Sequence, residues 1–463
     1  MGIPNRVDVV VAGGGHAALC AAITAAQAGC DVLVLEHAPQ HMRGGNSRHT
    51  RNLRVQHDQP CFTLTDQYTA QDYLEDLLRV TAGNTDRELA QLMIEQSEAL
   101  LTWLVDLGVA FQPALRGTLN LSATNAFFLG GGRALLNTEY RVAERLGVQV
   151  LYDAEVTAVS VQRETRRAEA VTVRIGTVQH TIEALAFVVA SGGFQANDAW
   201  MREAWGPQAD NFLIRGTPYN RGSVLKNLLD QGVQSVGDAS QCHAVAIDAR
   251  APKYDGGIVS RLDCVCFSVV VNSQGQRFYD EGEDVWPKRY AIWGRLIAQQ
   301  PEQIAYAIID SQVTDNFLPS VLPPYTAHTL NELEDVLQLP AGSLAATVRA
   351  FNDAVQDGPY DPGRLDGRHT SGITPPKTNW ALRLDEPPFF AYPLRPGITF
   401  TYLGLKVDRQ ARVHVDGEPM SNLFAAGEVM AGNILGQGYC AGTGMTIGGV
   451  FGRIAGTQAA ELR

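Results

Sequence analysis

The sequence predicts an α/β protein in which a Rossmann-like dinucleotide-binding domain is interrupted by a smaller α+β capping domain. Three observations predict it. The chain opens with an apolar run, a glycine turn and an alanine-rich helical stretch, followed by a second apolar run that ends in an acid. Between about residues 242 and 397 prolines, aromatics and charges become frequent and the apolar alternation turns irregular. Glycine-rich character then returns near the C-terminus. The expected division is 1–241 with 398–463 for the nucleotide domain and 242–397 for the cap, with a site at their interface, where pockets commonly lie.

Val7 to Ala12 reads as a buried strand, Gly13-Gly14-Gly15 as a tight turn, the residues from His16 as a helix, and Val32 to Leu35 as the next strand. Gly13 allows the turn, Gly15 lets the backbone approach a pyrophosphate, and Ala18 is small enough for helix to pack on strand. The helix start offers N–H groups to phosphates. Glu36, 23 residues after Gly13, is placed to accept hydrogen bonds from a ribose 2′-OH and disfavours NADP. A basic loop from Arg43 to Arg54 follows, carrying Arg48, His49, Arg51 and Arg54. Apolar spacing through Leu89, Leu92, Ile94, Leu100 and Leu104 predicts helices within 66–107. Gly130-Gly131-Gly132 precedes a helix from Arg133 to Leu146. Val148–Tyr152 and Glu155–Val159 read as strands, and Ala186 to Phe194 as a buried strand ending in a glycine turn. Near the end, Asn422 to Val429 and the glycines from Gly436 to Gly448 restore the nucleotide-domain pattern.

A net charge of −12 argues against nucleic acid or an acidic membrane surface as main partner. The seven cysteines are scattered without a CxxC pair, as in a reduced cytosolic protein, and no metal-ligand spacing stands out. Cys264 and Cys266 alternate in an apolar stretch and read as strand neighbours. Val9 to Cys30 lacks charged residues, but three central glycines and the lack of a basic region with a cleavage pattern argue against a signal or membrane segment. The expected location is cytoplasmic.

These pieces together resemble the flavoprotein subunits of the fumarate reductase and succinate dehydrogenase superfamily, which includes the 3-ketosteroid Δ1-dehydrogenases. The matching residues are the N-terminal glycine motif with Glu36, Gly44-Gly45-Asn46-Ser47, Ala190-Ser191-Gly192-Gly193-Phe194, Val271 to Phe278, Ala426-Gly427-Glu428-Val429 and the helix after Gly444. Within the superfamily, Gly44 to Asn52, Trp286 to Gly294 and Gly436-Gln437-Gly438-Tyr439 most resemble tricarballylate dehydrogenases. The resemblance implies bound FAD and oxidation of tricarballylate to cis-aconitate. It further implies a separate membrane-associated electron-transfer protein that reoxidises the flavin. A cobalamin-biosynthesis flavoprotein branch and a ketosteroid-dehydrogenase-like branch stay open.

For the cofactor, the resemblance implies contacts from Gly13, Gly15, His16, Ala17, Glu36, His37, Gly44, Gly45, Asn46, Ser47, Val156, Ser191, Gly192, Glu428 and Gly444. The backbone at Thr446 and Ile447, opening the last helix, is expected to stabilise negative charge on the reduced flavin. Covalent attachment in the family uses a histidine directly after the loop serine. Here Arg48 follows Ser47 and His49 lies one residue further, so non-covalent FAD is expected.

Dehydrogenation of a saturated polycarboxylate removes a hydride and a proton from neighbouring carbons, and several cations are needed to hold the carboxylates. The basic loop offers Arg48, His49, Thr50 and Arg51 as substrate contacts, with FAD phosphates or solvent as the alternative. His243 matches a substrate-binding histidine of fumarate reductases. Arg289 corresponds to their proton-transferring cap arginine but lies four residues beyond the family's spacing from Arg277-Phe278-Tyr279-Asp280-Glu281, and Lys288 is its local rival. Tyr439 reads either as a substrate-contacting tyrosine, as in ketosteroid dehydrogenases, or as a core residue. Arg215 and Arg221 read as carboxylate contacts or, more simply, as surface charges. Two family positions lack a match: the histidine expected within Gly397–Gly404 and the carboxylate-binding arginine expected near Tyr439 and Cys440. Both departures argue against fumarate itself. The competing readings are an NAD-linked dehydrogenase, which leaves Gly427-Glu428-Val429 unexplained, and a non-catalytic electron-transfer flavin subunit.

Overall fold

The computed structural model describes residues 2–115, 121–256, 260–284 and 290–463. Its larger sheet has eight strands. Five run parallel in the spatial order Glu418–Ala425, Val178–Val189, Arg6–Ala12, Val32–Leu35 and Gln149–Leu151. These central strands are covered on both faces, which is why they read as continuous Val, Leu and Phe runs rather than as alternating ones. The hairpin Ala154–Gln162 and Arg167–Ile175 joins antiparallel to Val178–Val189, and Arg412–Val415 closes the other edge. Asn422 ties the hairpin to the parallel strands: its side chain accepts from Ala168 N–H and donates to the Ala168 carbonyl.

Helix His16–Gln27 follows the first glycine turn, and the closing helix Thr443–Ala460 packs directly on it. That contact needs small residues. A Cβ on Gly452 would stand 2.5 Å from the Ala17 carbonyl oxygen, and one on Gly456 2.4 Å from that of Ala21. The one-turn glycine spacing therefore sets the closeness of the two helices, and both are almost wholly apolar where they meet.

A second sheet of six strands is organised around the long strand Phe389–Thr401. Cys242–Asp248 pairs antiparallel along one side, and Ala305–Ile309 then Val269–Asn272 lie on the other. Leu213–Ile214, which precedes residue 242 in the chain, also pairs with this strand. Helices Leu330–Leu337 and Ser343–Ala354 cover the sheet with Leu333, Leu337, Leu344, Val348 and Phe351, packed on Val269, Val271 and Ile308. Each fully buried Leu or Phe contributes about 1.5–3 kcal/mol.

The expected helices of 66–107 form three segments, Ala70–Thr81, Arg87–Glu95 and Ser97–Asp106. Cys264 and Cys266 are not strand neighbours. They stand at a short 3-10 turn, Val265–Phe267, which Ser268 closes by donating its hydroxyl to the Val265 carbonyl. Buried Lys377 caps the same turn by donating to the carbonyls of Cys266 and Ser268 at 2.9 and 2.6 Å. All seven cysteines are free thiols. Among the described residues no helix is long and apolar enough to cross a membrane.

Candidate active site

A single cleft of about 1430 Å³, including its open mouth, runs from the first glycine turn to the second sheet. It begins beyond the C-terminal ends of Arg6–Ala12 and Val178–Val189, where the chain reverses its direction across the sheet. Ligands of open parallel sheets bind in that crevice.

Backbone makes the inner wall of this end. Gly13 has φ +114°, and a Cβ there would lie 2.3 Å from the Ala190 carbonyl oxygen. Tyr140, from helix Gly131–Arg145, donates its hydroxyl to the Gly14 carbonyl at 2.7 Å and fixes the turn. His16 N–H donates to Ser47 Oγ at 3.1 Å, joining the first helix to the basic loop. Below the turn, His16 Nδ1 lies 2.6 Å from Glu139 Oε1. With Cys20 these are three potential metal donors within 4.8 Å, but the short contact is a hydrogen bond, closer than two ligands of one zinc ion stand.

Glu36 presents its carboxylate to the cleft while accepting from Ala38 N–H at 2.8 Å and Gly44 N–H at 3.3 Å. Burial raises its pKa above the ordinary carboxylate value. His37, packed edge-on against Tyr219 at 5.1 Å, and Val156 line the outer part. A glycine-walled trough, an acceptor at Glu36 and a buried Ser191 hydroxyl with no hydrogen-bond partner among the described residues fit a bound dinucleotide.

In the middle of the cleft, Asn46 donates to the Thr399 carbonyl at 2.6 Å and accepts from Thr217 N–H at 2.9 Å. It thereby pins the basic loop to the end of the long strand Phe389–Thr401. Glu428 completes the joint. Its Oε1 accepts from Thr401 N–H at 2.8 Å and its Oε2 from Asn220 at 3.3 Å. Burial, only partly offset by these donors, pushes its pKa up to about 7.

Cations and aromatic rings converge at the far end. Arg51, Arg215, Arg261, His49, His243, Tyr290 and Tyr439 all line it. Arg261 is held by Asp263 at 2.7 Å, and both are buried. Arg51 makes no ion pair among the described residues, its guanidinium lying 5.7 Å from the Phe127 ring centre. Burial, and then the charge of Arg261, lowers the pKa of Arg51 to about 9 and that of Arg215 to about 10. Three guanidinium groups thus stand near one another in a dry place, where like charges interact strongly. Arg215 also donates to the Thr399 hydroxyl at 3.3 Å. His49 Nε2 lies 2.8 Å from Asp255, and burial lowers its pKa to about 4. His243 and Tyr439 stack, Tyr290 meets His243 edge-on at 5.6 Å, and Gly444 N–H donates to the Tyr439 hydroxyl at 3.0 Å.

The cleft thus brings together Gly13, Gly15, His16, Ala17, Glu36, His37, Gly45, Asn46, Ser47, Val156, Ser191, Gly192, Glu428 and Gly444, and at its far end His49, Thr50, Arg51, His243 and Tyr439. Other expectations are corrected. Arg48 turns out of the cleft and donates to the His41 carbonyl at 3.3 Å. Gly44 faces Leu136 instead, where a Cβ would lie 2.3 Å from its Cδ1. Arg54 is committed to Asp76 at 2.6 Å and to Tyr68. Thr446 and Ile447 do not line the cleft: Thr446 N–H already donates to the Gly442 carbonyl, its hydroxyl donates to the Arg54 carbonyl, and Ile447 is fully buried. Lys288 and Arg289 lie outside the described residues.

Arg215 is not a surface charge, being 6% exposed, and Arg261 and Tyr290 were not singled out by sequence reasoning. Arg261 did carry a signal: an arginine two residues before an aspartate, inside an otherwise apolar run.

The sequence pattern of a family described as FAD binding domain, FAD_binding_2, matches residues 8–447. The NADH:fumarate oxidoreductase of Klebsiella pneumoniae (strain 342) is 26% identical over 480 residues, covering 99% of this chain and 48% of the relative, so the chain spans about half that protein's length. An open conformation of a flavocytochrome c3 fumarate reductase superposes with a TM-score of 0.77 at 23% identity, over 99% of this chain and 79% of the other. A 3-ketosteroid-Δ4-(5α)-dehydrogenase from Rhodococcus jostii RHA1 superposes with a TM-score of 0.75 at 24% identity, over 98% and 97%. The two likenesses establish the Rossmann-like α/β flavoprotein fold.

Proposed function

The chain belongs to the FAD-binding family FAD_binding_2, its cofactor is FAD, and from that premise we propose that this flavin-dependent oxidoreductase dehydrogenates a small polycarboxylate, tricarballylate first, to the unsaturated acid, cis-aconitate. The observation that carries the reading is the arginine trio. Arg51, Arg215 and Arg261 share the far end of the cleft, where Arg261 is paired with Asp263 and Arg51 makes no ion pair among the described residues. A di- or trianion would offer carboxylates to these guanidinium forks, which suit them. A neutral substrate would leave that capacity unused.

Bound FAD supplies a hydride acceptor. The residues do the rest. Glu36 and the Gly13–Ser47 region would hold the adenosine and pyrophosphate end, and Glu428 and Ser191 would serve the ribityl chain. The arginines would fix the carboxylates, and the His243–Tyr439 stack would flank the substrate's carbon chain. The resemblance assigns the proton step to Arg289, with Lys288 beside it. Residues 242–397 act in this reading as the cap that closes the cleft. Electrons then leave to a separate membrane-associated redox protein, and the reaction belongs to the cytoplasm.

One observation favours a second reading. Tyr439 with its Gly444 N–H partner is a neutral hydrogen-bonding pair suited to a carbonyl oxygen, as a ketone substrate would need. A panel of di- and tricarboxylates and cyclic ketones, added to the oxidised enzyme without oxygen, separates the two. Flavin bleaching by tricarboxylates alone supports the first reading; bleaching by the ketones alone supports the second and overturns the first.

A further inference from the structure

Dehydrogenation leaves one proton for every hydride delivered, and that proton has to leave a cleft whose far end is buried. We infer that His49 and Asp255 form the exit: a proton relay from the buried end of the cleft to solvent. The inference rests on the dehydrogenase reading above.

The geometry is specific. His49 lines the cleft, and its side chain is only 6% exposed. Its Nε2 lies 2.8 Å from Asp255 Oδ1, and the Asp255 side chain is 41% exposed. One pair of side chains thus spans the distance from the buried substrate end to water. Both partners are held from behind. His49 ends the short 3-10 turn Gly45–His49, whose Asn46 is anchored to Thr399 and Thr217. Asp255 N–H donates to the Gly216 carbonyl at 2.9 Å, next to Arg215. Neither residue belongs to the carboxylate-binding trio.

The proton balance closes without a further reactant. His49 accepts a proton from the cleft on its other ring nitrogen; a small rotation then brings Nε2–H into line with Asp255 Oδ1, which is close to it at rest but not hydrogen-bonded, and the Nε2 proton passes to the carboxylate and on to water or buffer. Asp255 is then a carboxylate again, and the ring, left with its proton on the other nitrogen, regains its starting tautomer by turning over or by proton exchange before the next turnover. Burial and the surrounding cations Arg215, Arg48 and Arg133 keep His49 neutral at rest, so an imidazolium formed there is short-lived and gives up its proton readily. The Asp255 carboxylate supplies the opposing charge while the imidazolium exists. In the reductive direction the same relay runs inward.

The test uses the FAD-loaded enzyme mixed rapidly with tricarballylate in the absence of oxygen. Asp255→Asn should keep its flavin and its substrate half-saturation concentration but reduce the flavin about a hundredfold or more slowly, within the range that positioned proton carriers contribute. Formate, added in rising concentration, should restore the rate in proportion. Imidazole should do the same for His49→Ala, and Asp255→Glu should retain most of the wild-type rate. Full-speed bleaching in Asp255→Asn overturns the relay, as does a loss that no small acid relieves, because a purely structural role is not rescued by buffer. Failure of every carboxylate to bleach the wild-type flavin overturns the dehydrogenase reading, and the relay falls with it.

Discussion

The imidazole of His243 and the phenol ring of Tyr439 lie face to face, with centroids 3.8 Å apart and planes 8° from parallel. The contact joins strand Cys242–Asp248 of the second sheet to the glycine-rich segment that leads into the closing helix. Burial, and then the charges of Arg215 and Arg261, hold His243 well below the ordinary imidazole range, so the ring stacks in its neutral form.

Tyr439→Phe keeps the stack but removes the acceptor for Gly444 N–H. A buried donor left without a partner costs about 1–3 kcal/mol. Chemical denaturation should show a loss of that size, with slower flavin reduction by the true substrate. Wild-type stability in Tyr439→Phe would mean that Gly444 N–H finds another acceptor.

Arg51→Met and Arg215→Met each remove one charge from a crowded, dry group. Arg51 makes no ion pair among the described residues, so substrate-free Arg51→Met breaks no pair there and should melt close to the wild type, whereas Arg215→Met also gives up the hydrogen bond to Thr399. Both variants should lose most of the Tm rise produced by tricarballylate and about 30-fold or more in kcat/KM, as expected for a truncated buried charge pair worth about 2–5 kcal/mol. An undiminished Tm rise in both variants would remove the trio from substrate binding.

Glu428 predicts a pH effect on the FAD-free protein. Its carboxyl is pushed up to about 7 from 4.5, so between those values the folded chain keeps a proton that the unfolded chain has released. The stabilisation is complete below pH 4.5 and is lost as pH rises to about 7, by about 3 kcal/mol for this one group. Glu428→Gln should flatten that part of the stability curve. Parallel curves for wild type and variant would show that Glu428 ionises normally.

The strand–turn–helix–strand unit, Glu36 and the glycines beyond Gly436 were legible because each follows a local rule of residue type and spacing. The second sheet was legible only as a change of composition. Its pairings, such as Leu213–Ile214 with Phe389–Thr401, are long-range and leave no periodic trace. The basic loop shows the same boundary from the other side. Arg48, Arg51 and Arg54 look alike in sequence, yet one turns to the His41 carbonyl, one faces the cleft and one is consumed by Asp76. Side-chain direction in an irregular loop depends on what packs against it, and Asp76 lies two helical turns into another segment.

Flavin attachment follows from the same loop. Arg48 follows Ser47, and His49 is engaged with Asp255, so acid precipitation should release all of the FAD. Glu36→Ala should weaken FAD binding roughly 10- to 100-fold, since two charge-assisted contacts that shape the turn are lost. Flavin retained on the precipitated chain would contradict this.

The most direct test of the central claim is one turnover with product identification. Oxidised, FAD-loaded enzyme is mixed with excess tricarballylate without oxygen or any electron acceptor, and NAD is left out. The account predicts full loss of the flavin's visible absorbance and one equivalent of cis-aconitate per flavin. An oxidised spectrum and no unsaturated acid, or product that forms only when NAD is added, would contradict it.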